Sequence, residues 1–156
     1  STCRLKSVTV VNLIILLNLF GILNPTNRQI MNDLNAQLSA CSDSIESDCE
    51  HPFYLRVKIV YGVDAKELSA EDCFKLNINE NFWKLHEDGW YYYNGALQPG
   101  EITPQIFSHV EIVGDKVDTS YIGKTLSLTV KAQAVQSDNN PITDDLVYTA
   151  SGWPQE

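Results

Sequence analysis

The stretch from Val8 to Leu23, VTVVNLIILLNLFGIL, constrains this chain more than any other. It runs sixteen residues without a charge and is interrupted only by Thr9, Asn12, Asn18 and Gly21. Taken with period 2, one face carries Thr9, Val11, Leu13, Ile15, Leu17, Leu19, Gly21 and Leu23. The other carries Val8, Val10, Asn12, Ile14, Leu16, Asn18, Phe20 and Ile22. A strand covered on both sides has this near-continuous Val/Ile/Leu character. A transmembrane helix needs roughly 20 apolar residues, and two asparagines count against one here. Arg4 and Lys6 imitate the n-region of a signal peptide, but a chain opening on Ser1 reads as an already processed product. A buried helix fits the length, although the β-branched start and Gly21 near the end favour the strand.

Length gives that strand a functional meaning. Sixteen residues at ~3.3 Å each reach about 53 Å. A compact body made from the rest of the chain is only about 36 Å across. Such a strand either bends and pairs twice or leaves its own subunit to complete a sheet in another. An uncovered apolar strand invites aggregation, so it requires a groove. Residues 1–24 are therefore read as an N-terminal arm and residues 25–156 as the body. Val11, Leu13, Ile15, Leu17 and Leu19 are the arm positions expected to enter the partner.

With 156 residues, 44% of them hydrophobic, the chain has enough apolar material for one well-packed domain. A formal charge of −9 argues against nucleic acid and anionic membrane surfaces as partners. The expected partner is the chain itself, as a homopolymer, with no membrane in the mature form. Cys3, Cys41, Cys49 and Cys73 are even in number and show no CxxC or zinc spacing. In an exported protein they are disulfide candidates, open among three pairings. The short acidic loop between Cys41 and Cys49 favours that bond, which leaves Cys3 with Cys73.

Asn24-Pro25-Thr26-Asn27 is a turn and helix-start signal, and Ile30, Leu34 and Leu38 continue it as one short helix over 27–39. From Pro52 the period is 2. Phe53, Leu55, Val57, Ile59, Tyr61 and Val63 form one face, with Tyr54, Arg56 and Lys58 opposite on a solvated side. Phe74, Leu76 and Ile78 alternate, and Asp64 to Asp72 is a polar connector. Asp88-Gly89 and Asn94-Gly95 bracket Trp90-Tyr91-Tyr92-Tyr93 as hairpin signals. In that run Trp90 and Tyr92 are expected in the core, with Tyr91 and Tyr93 as a surface ladder. The clearest strand follows, with Leu126, Leu128, Val130, Ala132 and Ala134 on one face, and Leu146 to Ala150 reads as a last short strand. The fold expected is an all-β, jelly-roll-like β-sandwich with an extended N-terminal donor strand and one short helix.

The segments FYLRVKIVYGV (53–63), WKLHEDGWYYYNGALQPGEITPQIFSHVEI (83–112) and GKTLSLTVKAQAVQSDN (123–139) resemble the TasA/camelysin-like family of exported bacterial proteins. Related subunits occur in archaeal bundling pili. The resemblance covers about half the chain. It implies a jelly-roll subunit of an extracellular filament, a pilus or biofilm-matrix fibre, in which one subunit's N-terminal segment enters the sheet of the next. This chain departs from the family at its front, where an apolar arm preceded by Cys3 replaces a polar opening strand.

Camelysin-type members have been regarded as metalloproteases, so metal chemistry needs direct inspection. His51, His86 and His109 form no HExxH motif. His109 and Glu111 share a strand face as a potential two-ligand pair, but a solvated polar face explains them more simply. Asp144/Asp145 and Asp115/Asp118 lack the calcium-loop pattern. There is no G-x-S-x-G elbow and no glycine-rich phosphate loop. The expectation is a non-enzymatic structural protein without a cofactor. The alternative is a monomeric secreted module, either a surface or carbohydrate binder or a weak metalloprotease.

Overall fold

The computed structural model describes residues 13–16, 51–101, 103–107, 110–113, 116, 119–121 and 123–154. Among them are seven strands: β1 (Leu13–Leu16), β2 (Phe53–Val63), β3 (Phe74–Leu76), β4 (Trp83–Leu85), β5 (Tyr91–Tyr93), β6 (Val110–Ile112) and β7 (Thr125–Gln136). Three short 3₁₀ turns, Glu71–Cys73, Thr119–Tyr121 and Val147–Thr149, accompany the strands. The architecture is all-β and antiparallel. The expected helix over 27–39 lies outside the described residues.

β2 and β7 are the two long strands and the centre of the molecule. They pair along their whole length, from Phe53 opposite Gln136 to Val63 opposite Leu126. The five-stranded sheet has the order β1-β7-β2-β5-β4, and β3 pairs with β6 in a separate ribbon. Because the side-chain period is 2, this register puts Leu55, Val57, Ile59, Tyr61 and Val63 on the same face as Ala134, Ala132, Val130, Leu128 and Leu126. That face carries the principal core, with Phe53, Leu55, Val57, Leu97, Leu126 and Leu128 fully buried. Trp83, Phe107, Tyr121 and Phe74 close over it. The ribbon is held there by Phe74, whose ring stacks on Tyr61 at 5.2 Å.

The β4–β5 hairpin follows the Asp-Gly signal. The His86 N–H donates to the Trp90 carbonyl (2.9 Å), and the Gly89 N–H donates to the His86 carbonyl (3.0 Å). Gly89 sits at φ +84°, the left-handed position that closes a three-residue loop. Asn94-Gly95 has a different role from the one expected. No hairpin forms there; Leu97 returns to β2 opposite Phe53, two residues out of step with the Arg56–Tyr92 pairing. The dipeptide makes an excursion within one strand path, with the Gly95 N–H turned onto the Tyr93 carbonyl (3.0 Å). The segment Leu146 to Ala150 also differs from expectation. It contains the 3₁₀ turn Val147–Thr149 rather than a strand, because Thr143 and Leu146 pair across a tight turn in which Asp144 and Asp145 both have positive φ.

Candidate functional site

Two surfaces of the central sheet are candidate sites, and the first is the end at which β1 lies. β1 pairs antiparallel with β7, with Leu13 opposite Leu128 and Ile15 opposite Leu126. Leu126 and Leu128 point into the principal core and are wholly buried. Directly opposed residues in an antiparallel pair belong to one face of the sheet. Leu13 and Ile15 thus stand at register positions of the core face of their own chain's sheet. Val11, Leu17 and Leu19 lie outside the described residues.

The second surface is the back of the sheet, expected to be solvated. It is not. Tyr54, Trp90, Tyr92, Val135, Val147 and Ala150 form a second buried cluster, with Ile142 and Trp153 packed against it. The chain after β7 turns back across β2, β5 and β7 and covers what strand alternation alone would leave wet. Arg56, the charged residue at the middle of this face, is 7% exposed.

Its guanidinium is supplied with partners on every side. Nε and Nη2 donate to the Gln133 Oε1 (2.9 and 2.6 Å). Nη1 donates to the Tyr92 hydroxyl oxygen (3.0 Å), and Nη2 donates to the Pro154 carbonyl (2.9 Å). The Trp90 ring lies 4.2 Å from the guanidinium carbon and the Trp153 ring 4.8 Å. A planar, weakly hydrated cation between two indoles is the arrangement in which arginine tolerates burial. Asp88 completes the group from the hairpin loop. Its carboxylate accepts the Trp90 N–H (2.9 Å) and the Tyr92 hydroxyl (2.5 Å), and it stands 3.9 Å from Nη1. Burial raises the Tyr92 pKa, and accepting the phenol proton at Asp88 raises it further, while the Arg56 charge opposes both. The arrangement is a structural clasp that fastens the C-terminal segment to the sheet.

The expected tyrosine ladder is corrected by the same geometry. Tyr93 is buried in the principal core, edge-on to Trp83 at 5.3 Å, and Tyr91 packs against that core as well. Trp90 and Tyr92 are buried, as expected, but in the second cluster. Both faces of β5 are covered, so neither set forms a surface ladder.

The residues considered for chemistry are dispersed. His51 is exposed, and His86 stacks on Tyr148 (3.8 Å between ring centres). His109, Asp115 and Asp118 lie outside the described residues, while Glu111 sits in β6 opposite Lys75. Among the described residues, no three His, Cys, Asp or Glu gather closely enough to hold a metal ion. Cys73 is a free thiol with no exposed surface, and its Sγ–H donates to the Ser69 carbonyl (3.4 Å). Burial raises its pKa, partly offset by a hydrogen bond with Tyr121. Cys3, Cys41 and Cys49 lie outside the described residues.

The strand at Leu13–Leu16 falls within the apolar run of the sequence, whereas the Arg56 clasp had no such signal. The available signal was an excess of aromatic residues, Tyr54, Trp90, Tyr92 and Trp153, around one nominally polar face. Comparison with family models, with curated proteins and with solved structures finds no match to this chain.

Proposed function

We propose that this protein is a structural subunit of an extracellular filament, a pilus or biofilm-matrix fibre, polymerised by donor-strand complementation. In this reading the arm of one jelly-roll subunit occupies the β7 edge of the next. The observation that carries it is the position of β1, a strand from the apolar arm placed at the end of the sheet. Its Leu13 and Ile15 stand opposite the fully buried Leu128 and Leu126. Main-chain pairing of that kind is equally available to an identical arm from a neighbouring subunit. The resemblance of residues 53–63, 83–112 and 123–139 to exported fibre-forming proteins supports the same reading. The body works as a scaffold, and no reaction is assigned to it.

One observation favours a second reading. β1 pairs with β7 of its own chain, as in a monomeric secreted module whose arm folds back. Ile15→Asp separates the two. A carboxylate in a dry groove costs several kcal/mol, so the expected result is a folded, soluble body that forms no filaments, whereas the unmodified chain forms them in negative stain. Filaments at undiminished yield from Ile15→Asp overturn the donor-strand reading. A monodisperse 17.5 kDa species from the unmodified chain establishes the monomeric one.

A further inference from the structure

We propose that the edge of β7 beyond β1, at Val130, Ala132 and Ala134, is the first docking site for the arm of a second copy of the chain. This rests on the filament reading and deepens it, by fixing where an incoming arm begins to pair and in what register.

β7 is 12 residues long, and β1 pairs with it from Thr125 to Leu128. From Val130 to Val135 it is an edge strand on that side, with no strand beyond it among the described residues. The direction of its main-chain groups follows from the pairing with β2. The Asp64 N–H donates to the Thr125 carbonyl (3.2 Å), and the Ser137 N–H donates to the Pro52 carbonyl (2.9 Å). Both contacts continue the β2–β7 register, so odd-numbered positions of β7 bond to β2 and even-numbered ones turn the other way. The N–H and C=O groups of Leu126 and Leu128 thus face β1, and those of Val130, Ala132 and Ala134 face the open edge.

Burial changes at the same point along the strand. Leu126 and Leu128, beside β1, are wholly buried. Val130, Ala132 and Ala134 carry the same core face onward but are partly buried. A row of aligned main-chain groups next to half-covered apolar side chains is a template for one more strand.

The occupant follows from the register of β1 and the length of chain ahead of it. Leu13 opposite Leu128 and Ile15 opposite Leu126 set a ladder that an arm of the same sequence extends in two-residue steps. Val11 of the incoming arm then meets Val130, Thr9 meets Ala132 and Ser7 meets Ala134. Residues 1–12 precede Leu13, which is more than these pairs require. The arm's cations fall on the other face, with Lys6 opposite Val135 and Arg4 opposite Ser137, while Lys131 meets Val10, so like charges stay apart. A single chain leaves this edge half-covered, and a second copy brings the strand that fits it. Because the edge is open, that arm pairs before β1 moves. It then advances over Leu128 and Leu126 as β1 leaves, and each main-chain bond lost is replaced by an identical one. A closed edge would need β1 to detach first and leave its groups unpaired.

The experiment follows filament growth of the full chain by light scattering and negative stain, with the melting temperature as the check on folding. Ala132→Pro removes an outward N–H and leaves the β2 ladder intact, as an edge strand tolerates. It is expected to slow growth at least tenfold with the chain still folded. Val11→Glu and Val130→Lys are each expected to slow growth as much. The double variant Val11→Glu/Val130→Lys is expected to recover it, because residue 11 of one copy meets residue 130 of the next, whereas Val11→Glu/Ala132→Lys is not. Misfolding cannot give that pairwise recovery. Growth indifferent to Ala132→Pro and to both charges, yet blocked by Ile15→Asp, overturns the docking site and leaves the filament reading standing. Recovery of the double variant's melting temperature without filaments assigns the edge to the chain's own arm and overturns the second copy. A parent chain that forms no filaments removes both.

Discussion

At the scale of single residues, Arg56 ties the most structure together. It joins β2, β5, β7, the hairpin loop and the C-terminal segment through Gln133, Tyr92, Pro154, Trp90 and Trp153. Replacement by alanine leaves the Gln133 and Pro154 oxygens without their donor and removes a cation from between two indoles. The expected loss is about 3 kcal/mol in urea unfolding. Arg56→Lys recovers only part of it, since an ammonium neither forks nor stacks; full recovery would mean that charge alone matters. Tyr61 gives a second expectation at this scale. Burial, followed by the influence of Tyr91 and Glu71, pushes its pKa from the ordinary 10.0 up to about 12. The folded protein holds this proton more tightly than the unfolded chain does. Its contribution to stability is complete below about pH 10 and is lost as pH rises through about 12. Tyr61→Phe removes that alkaline loss, and denaturation midpoints measured across the window check it. An identical decline in both proteins assigns the loss elsewhere.

At the scale of elements, the long strands were legible and their surroundings were not. Alternation over 53–63 and 125–134 placed every core-facing residue of β2 and β7 correctly, because a strand half-covered by a core must repeat with period 2. Alternation also labelled Tyr54 and Arg56 as solvated. That failed because a sequence period reports the polarity of a face and not whether another segment crosses it. The covering segment, 142–154, has no period of its own: it is a tight turn, a 3₁₀ turn and a tail. The two glycine dipeptides make the same point. Asp88-Gly89 and Asn94-Gly95 look alike in sequence, yet only the first closes a hairpin. Asp88 is held there by the Trp90 N–H and Tyr92 hydroxyl it accepts, a tertiary contact invisible to dipeptide chemistry. Gly89→Ala forces a side chain into the left-handed region at φ +84°, at a cost of about 1–2 kcal/mol. A melting temperature equal to that of the parent contradicts the strain assigned to this turn.

At the scale of the whole molecule, the sheet has two unlike ends. One is completed by an apolar strand from the N-terminal arm; the other is the short β4 edge with Leu85 on its rim. Charge placed at either end should leave the body folded, and differential scanning calorimetry on Ile15→Asp and Leu85→Lys checks this: the same single transition is expected from both. A broad or missing transition in Ile15→Asp means that the body cannot stand without its own arm. The position of the closing segment also governs how the chain matures during synthesis. The back of β2 is made well before its cover, which includes Trp153 and the Pro154 carbonyl, the latter 98 residues after Arg56. Tyr54, Arg56, Trp90 and Tyr92 therefore stay wet until that later segment has been made and docks. Docking of that segment is a late step of folding, with Trp153 emission as its natural clock.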